Sequence, residues 1–159
     1  MFVLLLFALN LFPFFFLFVI AVMILMLLSF FRKGRQALTL FPPIDSVNVR
    51  FKESRASGAS QKNWKTKVGG ASNTLDVIVT EDELWITMSP LFASIAQQYD
   101  MLHRVPLDRV NVTQRGNNGV GLELTLEDGS STEIILRLRN QERFLNVIEE
   151  SKIAGNFLP

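Results

Sequence analysis

The first thirty or so residues form an almost unbroken apolar segment. It covers residues 2–31, and the first charged side chain of the chain is Arg32. As a helix rising about 1.5 Å per residue, residues 11–31 would extend roughly 31 Å, close to the ~30 Å hydrocarbon core of a bilayer. The segment therefore predicts a membrane-spanning helix, and we assign residues 1–31 to a transmembrane anchor. How residues 1–9 lie, whether spanning, tilted or at the interface, stays open.

A cleavable signal peptide is the alternative explanation for such a segment. Signal peptides have a basic first region, an apolar core of about 7–15 residues and a small-x-small cleavage site. Here no Lys or Arg precedes the apolar segment, which is longer than such a core and ends in Ser29-Phe30-Phe31. We therefore expect an uncleaved anchor.

Three basic residues follow the apolar segment directly, namely Arg32, Lys33 and Arg35. Cytoplasmic flanks of membrane spans carry an excess of Lys and Arg, so this cluster places the carboxyl-terminal side in the cytoplasm. We expect a single-pass protein of the plasma (inner) membrane with a cytoplasmic domain. Residues 32–44 then form a basic connector, which Pro42-Pro43 stiffens because proline cannot continue a helix.

Charge is distributed unevenly along the rest of the chain. Residues 32–67 contain nine basic and two acidic side chains, a net charge of +7, whereas residues 68–159 contain seven basic and thirteen acidic ones, a net charge of −6. Anionic lipid attracts each basic residue close to its surface by about 1 kcal/mol. The candidate contacts for anionic lipid or a protein partner are Arg50, Lys52, Arg55, Lys62, Lys65 and Lys67. A solvated charged face is the alternative.

Period-two alternation of apolar and polar residues dominates the segment after the connector. It is clearest at residues 122–127 and recurs at 47–52, 84–88, 110–113 and 134–139. This pattern is typical of antiparallel strands with one face on a core and the other in water. We expect Arg50 and Lys52 on the first strand, and Lys65 and Lys67 on the second, to form one positive ribbon.

Turn residues separate the predicted strands. Short hairpin links are predicted at residues 80–82, 116–119 and 127–130, where Gly, Asn, Asp and Ser are frequent. Residues 54–61 are interpreted as a mobile loop, and residues 90–99 as one short helix. Asn140 is a good N-cap for a last helix that places Phe144, Val147, Ile148 and Ser151 on one face. About seven strands and one closing helix are thus predicted in a domain of residues 45–154, with a tail at 155–159.

This order of elements resembles the pleckstrin-homology-like fold, including its bacterial and GRAM-type members. The stretches that carry the resemblance are Leu84-Trp85-Ile86-Thr87-Met88, residues 104–112 with their Val105-Pro106-Leu107 step into a strand, the Asp128-Gly129 hairpin and the helix after Asn140. The resemblance covers roughly residues 45–153. It implies a mainly-β open barrel of about seven antiparallel strands, closed by the C-terminal helix.

The resemblance also implies a lipid-binding role for the basic region. In lipid-binding members of that family, basic side chains of the first two strands and their loop hold phosphoinositide head groups. Lys52 and Lys65-x-Lys67 look like a loose version of the family's basic signature. Lys stands where Arg is usual, and Gly69 stands where an apolar residue is expected, so no particular head group is implied.

Few residues in the chain have the chemistry of a catalytic or metal site. The absence of Cys excludes disulfides and thiolate chemistry. His103 is the single histidine and is interpreted as structural, because no Ser or Asp spacing near it suggests a triad. Residues 81–83 fit an acidic turn better than a cation site. Residues 116–121 join two strands rather than leading into a helix, as a phosphate-binding loop would.

We therefore expect a binding or scaffolding module and no enzyme, with no catalytic residue, cofactor or metal. Nucleic acid is not expected as a partner, because Trp64 is the single aromatic residue among the loop basics and the anchor makes lipid the nearer anion. The expected partners are the bilayer, anionic head groups and a membrane or cytoplasmic protein. The alternative is a structural subunit or assembly factor of a larger membrane complex, with the Phe-rich helix as the interaction surface.

Overall fold

The computed structural model describes residues 2–116 and 118–155. The chain begins with a single helix, α1 (Phe2–Ala37), which is long and apolar enough by length and composition to cross a membrane. Its side chains from Phe14 to Phe31 are exposed. The helix continues unbroken through Arg32 to Ala37, where the sequence predicted a connector; the first part of the connector is therefore helical.

The true connection between α1 and the sheet is short and ordered. Two 3-10 turns, Leu38–Leu40 and Ile44–Ser46, flank the Pro42-Pro43 pair. The guanidinium of Arg104 donates a hydrogen bond to the carbonyl oxygen of Leu40 at 2.9 Å. The ring of Phe41 lies edge-on to Trp85, with centroids 5.9 Å apart. The connector is thus fastened to the outer face of the sheet.

Within the described residues, seven strands and three further α-helices follow the connector. The strands are β1 (Val49–Ser60), β2 (Ala71–Thr80), β3 (Glu83–Met88), β4 (His103–Pro106), β5 (Val110–Gly116), β6 (Gly119–Thr125) and β7 (Ser131–Arg137). The helices are α2 (Trp64–Val68), α3 (Pro90–Gln98) and α4 (Gln141–Gly155). The predicted hairpin links at 80–82 and 127–130 are confirmed; Asn117 of the third lies outside the described residues, as do residues 156–159 of the predicted tail.

The strands form one antiparallel sheet in the order β4-β3-β2-β1-β7-β6-β5. The sheet is not closed, because β4 and β5 lie at its two edges. The predicted fold class is therefore confirmed: an N-terminal apolar helix, a seven-stranded open antiparallel sheet and a C-terminal helix. Helix α3 confirms the short helix predicted at residues 90–99.

Helix α4 packs its apolar face onto the curved sheet. Phe144 and Ile148 are fully buried, and the rings of Phe144 and Phe51 lie 5.4 Å apart between centroids. Glu53, itself buried on β1, accepts hydrogen bonds from the backbone N–H groups of Arg139 and Asn140 at 2.6 and 3.0 Å. This carboxylate fixes the chain just before α4 begins, so β1 both pairs in the sheet and positions the closing helix.

The predicted mobile loop at residues 54–61 is wrong, because β1 continues to Ser60. β1 pairs with β2 from Val49 to Gly58 and with β7 from Ser57 to Ser60, where Gly58 lies opposite Leu136. A side chain at Gly58 would press on Leu136 and Leu75. The small residues that suggested a loop are instead needed for the close packing of β1 between β2 and β7.

The predicted second strand is also wrong at its start. Lys65 and Lys67 lie on α2, and β2 begins at Ala71. Asn63 caps α2: its side-chain oxygen accepts from the backbone N–H of Thr66 at 3.0 Å, and the Thr66 hydroxyl accepts from the backbone N–H of Asn63. This capping box forms a helical turn in a segment with no strand alternation.

Candidate binding surface

The predicted basic ribbon divides into separate groups in the structure. Arg50, Lys52 and Arg55 lie on β1, and Lys65 and Lys67 on α2, with Lys62 between the two elements. Because α2 is not part of the sheet, Lys65 and Lys67 do not lie on one ribbon with Arg50 and Lys52. Each group has its own surroundings.

Two of the predicted contact residues are held by acidic partners within the domain. The guanidinium of Arg50 donates to Glu150 at 3.2 Å and to the Ser151 hydroxyl at 3.3 Å, both on α4. The ammonium of Lys62 lies 3.7 Å from the carboxylate of Asp100. Because acidic side chains already face them, Arg50 and Lys62 attract an anionic ligand less strongly than unpaired basic residues do.

Lys52 and Arg55 are exposed on the outer side of β1. Lys52 lies opposite Ile78, while Arg55 sits at an irregularity in the β1–β2 register with φ of +62°. Left-handed backbone at a non-glycine residue is uncommon and is typical of bulges and functional turns. The bulge makes Arg55 an extra residue on the strand and places its side chain outside the core.

Lys65 and Lys67 are exposed on α2 beside an exposed tryptophan. The ammonium of Lys65 lies 6.0 Å from the centroid of the Trp64 ring. Trp64 is 71% exposed, and Val68 at the end of the helix is 82% exposed. Helix α2 therefore presents a mixed basic and apolar surface.

The three basic residues of the predicted membrane flank lie on the last turns of α1. Arg32, Lys33 and Arg35 are exposed, and the guanidinium carbon of Arg35 lies 5.0 Å from the centroid of the Phe31 ring. Between them, Gly34 is buried against α3, and a β carbon at this position would overlap the carbonyl oxygen of Pro90. Helix α1 is thus packed directly on the domain.

Helix α3 carries an exposed apolar face that the sequence interpretation did not identify. Ala93 and Ala96 point into the core, whereas Leu91, Phe92 and Ile95 are 38–45% exposed. Phe92 and Ile95 border a largely apolar cleft of about 190 Å³ that continues to Tyr99 and Gly69. The sequence does contain the pattern that indicates this face, because Phe92 and Ile95 follow Leu91 by one and four residues. This spacing places apolar side chains on one side of a helix.

A polar cluster joins β1, β7 and the turn after α3. The carboxylate of Asp100 accepts hydrogen bonds from the hydroxyls of Thr132 at 2.7 Å and Ser60 at 3.0 Å. Burial alone would raise the pKa of Asp100, but these hydroxyls and the charges of His103 and Lys62 lower it. The ionised carboxylate thereby ties three elements together.

His103 is buried in the same cluster. Its Nε2 lies 2.8 Å from the carbonyl oxygen of Asp100 and therefore carries the hydrogen, because a carbonyl can only accept. Burial lowers the pKa of His103, although the carbonyl and the carboxylate of Asp100, 3.7 Å away, partly oppose this. Ser60 donates to Asp100 and not to His103, so the cluster has the geometry of a structural network.

A second network fastens β3 and β4 under the connector. Glu83 accepts from the indole N–H of Trp85 at 2.7 Å and from the guanidinium of Arg104 at 2.8 Å. Burial would raise the pKa of Glu83, but these two donors and the charge of Arg104 lower it. Across the described parts of the chain, 2–116 and 118–155, no group of three His, Asp or Glu residues is placed to hold a metal ion.

Comparisons with known proteins give little guidance. No protein-family model matches the chain, and no curated protein does. Among solved structures, the chain is similar to one described as "Vav1 inhibited by an allosteric inhibitor: Vav1 inhibitors block GEF activity", with 13% identity and a TM-score of 0.36. The similarity covers 65% of this chain and 26% of that one. So weak a similarity supports no conclusion about function.

Proposed function

We propose that the chain is a single-pass membrane protein that holds a pleckstrin-homology-like binding or scaffolding domain at the cytoplasmic face of the plasma (inner) membrane. The order of elements supports this proposal: seven antiparallel strands followed by a helix packed over the sheet. The positive cluster at Arg32, Lys33 and Arg35 supports the cytoplasmic orientation.

The observation that carries the proposal is the contact between α1 and α3. Because α1 continues without a break from the apolar segment to Ala37, and Gly34 lies against Pro90, the domain is packed on the anchor. The connector adds a second attachment through Arg104 and Leu40. The domain is therefore held next to the end of the apolar segment. A module that presents a binding surface at a membrane needs such a fixed position.

Two separate groups of exposed basic residues are best suited to anionic lipid or an acidic partner, one on β1 and one on α2. Lys52, Arg55, Lys65 and Lys67 make no ion pair with the described residues. Each such residue close to an anionic surface contributes about 1 kcal/mol of attraction. Arg50 and Lys62 contribute less, because acidic side chains of the domain already face them.

Photo-crosslinking from these positions tests the proposal. The full chain, carrying a photoreactive residue at 52, 55, 65 or 67, is reconstituted into vesicles with and without anionic lipid. We expect lipid adducts that depend on anionic lipid and decrease as salt rises. Position 146, exposed on α4, is the matched control. Adducts no more frequent than at position 146 would contradict a lipid role, and the basic surface would then be assigned to a protein partner.

A second candidate function follows from the exposed surface of α1. Side chains from Phe14 to Phe31 are exposed, so this part of the helix can pack against other membrane helices in a larger complex. Purification in mild detergent identifies co-purifying proteins for the native chain and for a variant in which residues 14–31 are all Leu. Partners retained by the variant bind the domain; partners lost bind the Phe-rich helix.

A further inference from the structure

The exposed apolar face of α3 lies beside the end of the membrane-spanning segment. The backbone of Pro90, the first residue of α3, contacts Gly34, which is three residues beyond Phe31. Three residues of helix correspond to about 4.5 Å along the axis of α1. The polar headgroup layer of a bilayer is about 5–7 Å thick on each side. The start of α3 therefore stands at the depth of the headgroups.

The three faces of α3 have distinct neighbours. One face, with Ala93 and Ala96, is buried in the core. A second, with Pro90, Ser94 and Gln97, lies towards α1 and shares a cleft with Lys33 and Gln36. The third face is apolar and exposed, and consists of Leu91, Phe92 and Ile95.

Neither the core nor α1 covers this third face. Single exposed apolar residues are ordinary on soluble proteins. Here a Phe and two aliphatic residues are contiguous on one helix, and the neighbouring face of that helix shares a cleft with the basic side chain of Lys33. An apolar face with an aromatic residue, flanked by basic charge, is the composition of helices that lie in the membrane interface.

We propose that the apolar face of α3 is a second membrane contact, inserted among the headgroups and upper acyl chains of the bilayer that α1 spans. The occupant is lipid, because the start of α3 stands at the depth of the headgroups and the basic side chain of Lys33 lies beside the helix. The contact fixes the orientation of the domain about α1, and so decides which part of the sheet faces the membrane and which faces the cytoplasm. The inference rests on the proposed membrane anchoring of α1.

Depth-dependent fluorescence quenching tests the inference. The chain has no Cys of its own, so single variants Leu91→Cys, Phe92→Cys, Ile20→Cys and Asn146→Cys can each carry a bimane label. The full chain is reconstituted into anionic vesicles containing lipid brominated either near the headgroup or near the chain end. Ile20 reports on α1, and Asn146, exposed on α4, is the aqueous control.

We expect labels at 91 and 92 to lose roughly half of their emission to lipid brominated near the headgroup, and the label at 146 almost none. The label at 20 should be quenched best by lipid brominated near the chain end. Quenching at 20 without quenching at 91 and 92 would overturn the inference and leave the anchor standing. Labels at 91 and 92 shielded from both lipid and aqueous iodide would also overturn it, because a protein surface would then cover the face. No quenching at 20 would overturn the anchor and the inference together.

Discussion

Gly34 of α1 and Pro90 of α3 are in direct backbone contact, so that no side chain fits between the two helices at this point. Ala37, one turn later, is also buried against the domain. Small residues allow helices to approach closely, and here they join a helix with the features of a membrane span to a folded domain. The contact makes α1 and the folded domain one packed unit.

Gly34→Ala should therefore separate α1 from α3. The added methyl group would overlap the backbone of Pro90, which cannot move aside as a flexible side chain could. The measurement is crosslinking between Gln36→Cys and Gln97→Cys, which line the same cleft, by a short bismaleimide. We expect the crosslink to be lost in Gly34→Ala and retained in Gly116→Ala, where a β carbon meets nothing within 4 Å. Equal crosslinking in both variants would show that the helices are not packed together.

Phe144→Ala should destabilise the domain strongly. The ring is fully buried and lies 5.4 Å from that of Phe51, and removing a buried phenylalanine typically costs about 3–5 kcal/mol in the free energy of unfolding. Chemical denaturation of the full chain in detergent, followed by circular dichroism, measures the change. Asn146→Ala, exposed two residues further along α4, is the control and should change little. An unaltered transition for Phe144→Ala would mean that α4 does not close the core.

Arg104→Lys should release the connector from the sheet. Lysine keeps the charge, but it cannot donate to Glu83 and to the Leu40 carbonyl in the fixed geometry of a guanidinium. We expect faster cleavage by chymotrypsin at the Leu40–Phe41 bond in the variant than in the native chain, whereas the Phe41–Pro42 bond resists the protease in both. Arg109→Lys, exposed before β5, is the matched control. Cleavage at the same rate in both would assign the ordering of the connector to Phe41 and Trp85 alone.

The free energy of unfolding should fall as the pH drops below about 6.5. Burial lowers the pKa of His103 in the folded state, so the unfolded chain binds its proton more readily. The contribution of neutral His103 to the free energy of unfolding is then fully present above the unfolded pKa near 6.5. It is lost as the pH falls towards the folded pKa. Asp100 adds a separate loss below its unfolded pKa near 3.9, since its folded pKa is lowered.

His103→Gln tests the first of these two transitions. The glutamine amide can still donate to the carbonyl of Asp100, and the chain then has no histidine. We expect the pH dependence of unfolding between about pH 5 and 7 to become flatter in the variant. The same slope in both proteins would show that His103 does not control acid stability in this range.

Much of the fold could be predicted from the sequence, because each feature had a strong local pattern. Alternation at residues 122–127 and 134–139 indicated β6 and β7, and the spacing of Phe144 and Ile148 indicated α4. The turn at 127–130 closes as predicted: Asp128 accepts from the backbone N–H of Ser130 at 2.9 Å, and Gly129 has φ of +79°.

The errors occurred where tertiary contacts overrode local pattern. Small residues at 56–60 suggested a loop, but β1 lies between β2 and β7 there, and a side chain at Gly58 would press on Leu136 and Leu75. Lys65 and Lys67 were placed on a strand, because Asn63 was not recognised as the N-cap that it forms together with Thr66. The connector was predicted from residue 32, since sequence does not show that Gly34 and Ala37 find a partner in α3.

The basic residues were predicted as contacts from charge, strand alternation and the resemblance, none of which distinguishes a paired residue from an available one. Arg50 and Lys62 have acidic partners 100 and 38 residues away in sequence, on α4 and after α3. No local signal joins such distant residues. Lys52, Arg55, Lys65 and Lys67 remain predictions of contact with an anionic partner.

Thiol labelling of Asn146→Cys in intact cells tests most directly whether the domain lies in the cytoplasm. The chain has no other Cys, and position 146 is exposed on α4. With α1 spanning the membrane and the domain in the cytoplasm, a membrane-impermeant maleimide should label the membrane-bound protein after the cells are permeabilised and leave it unlabelled before. Labelling of intact cells would place the domain on the outer side of the membrane and contradict its cytoplasmic location.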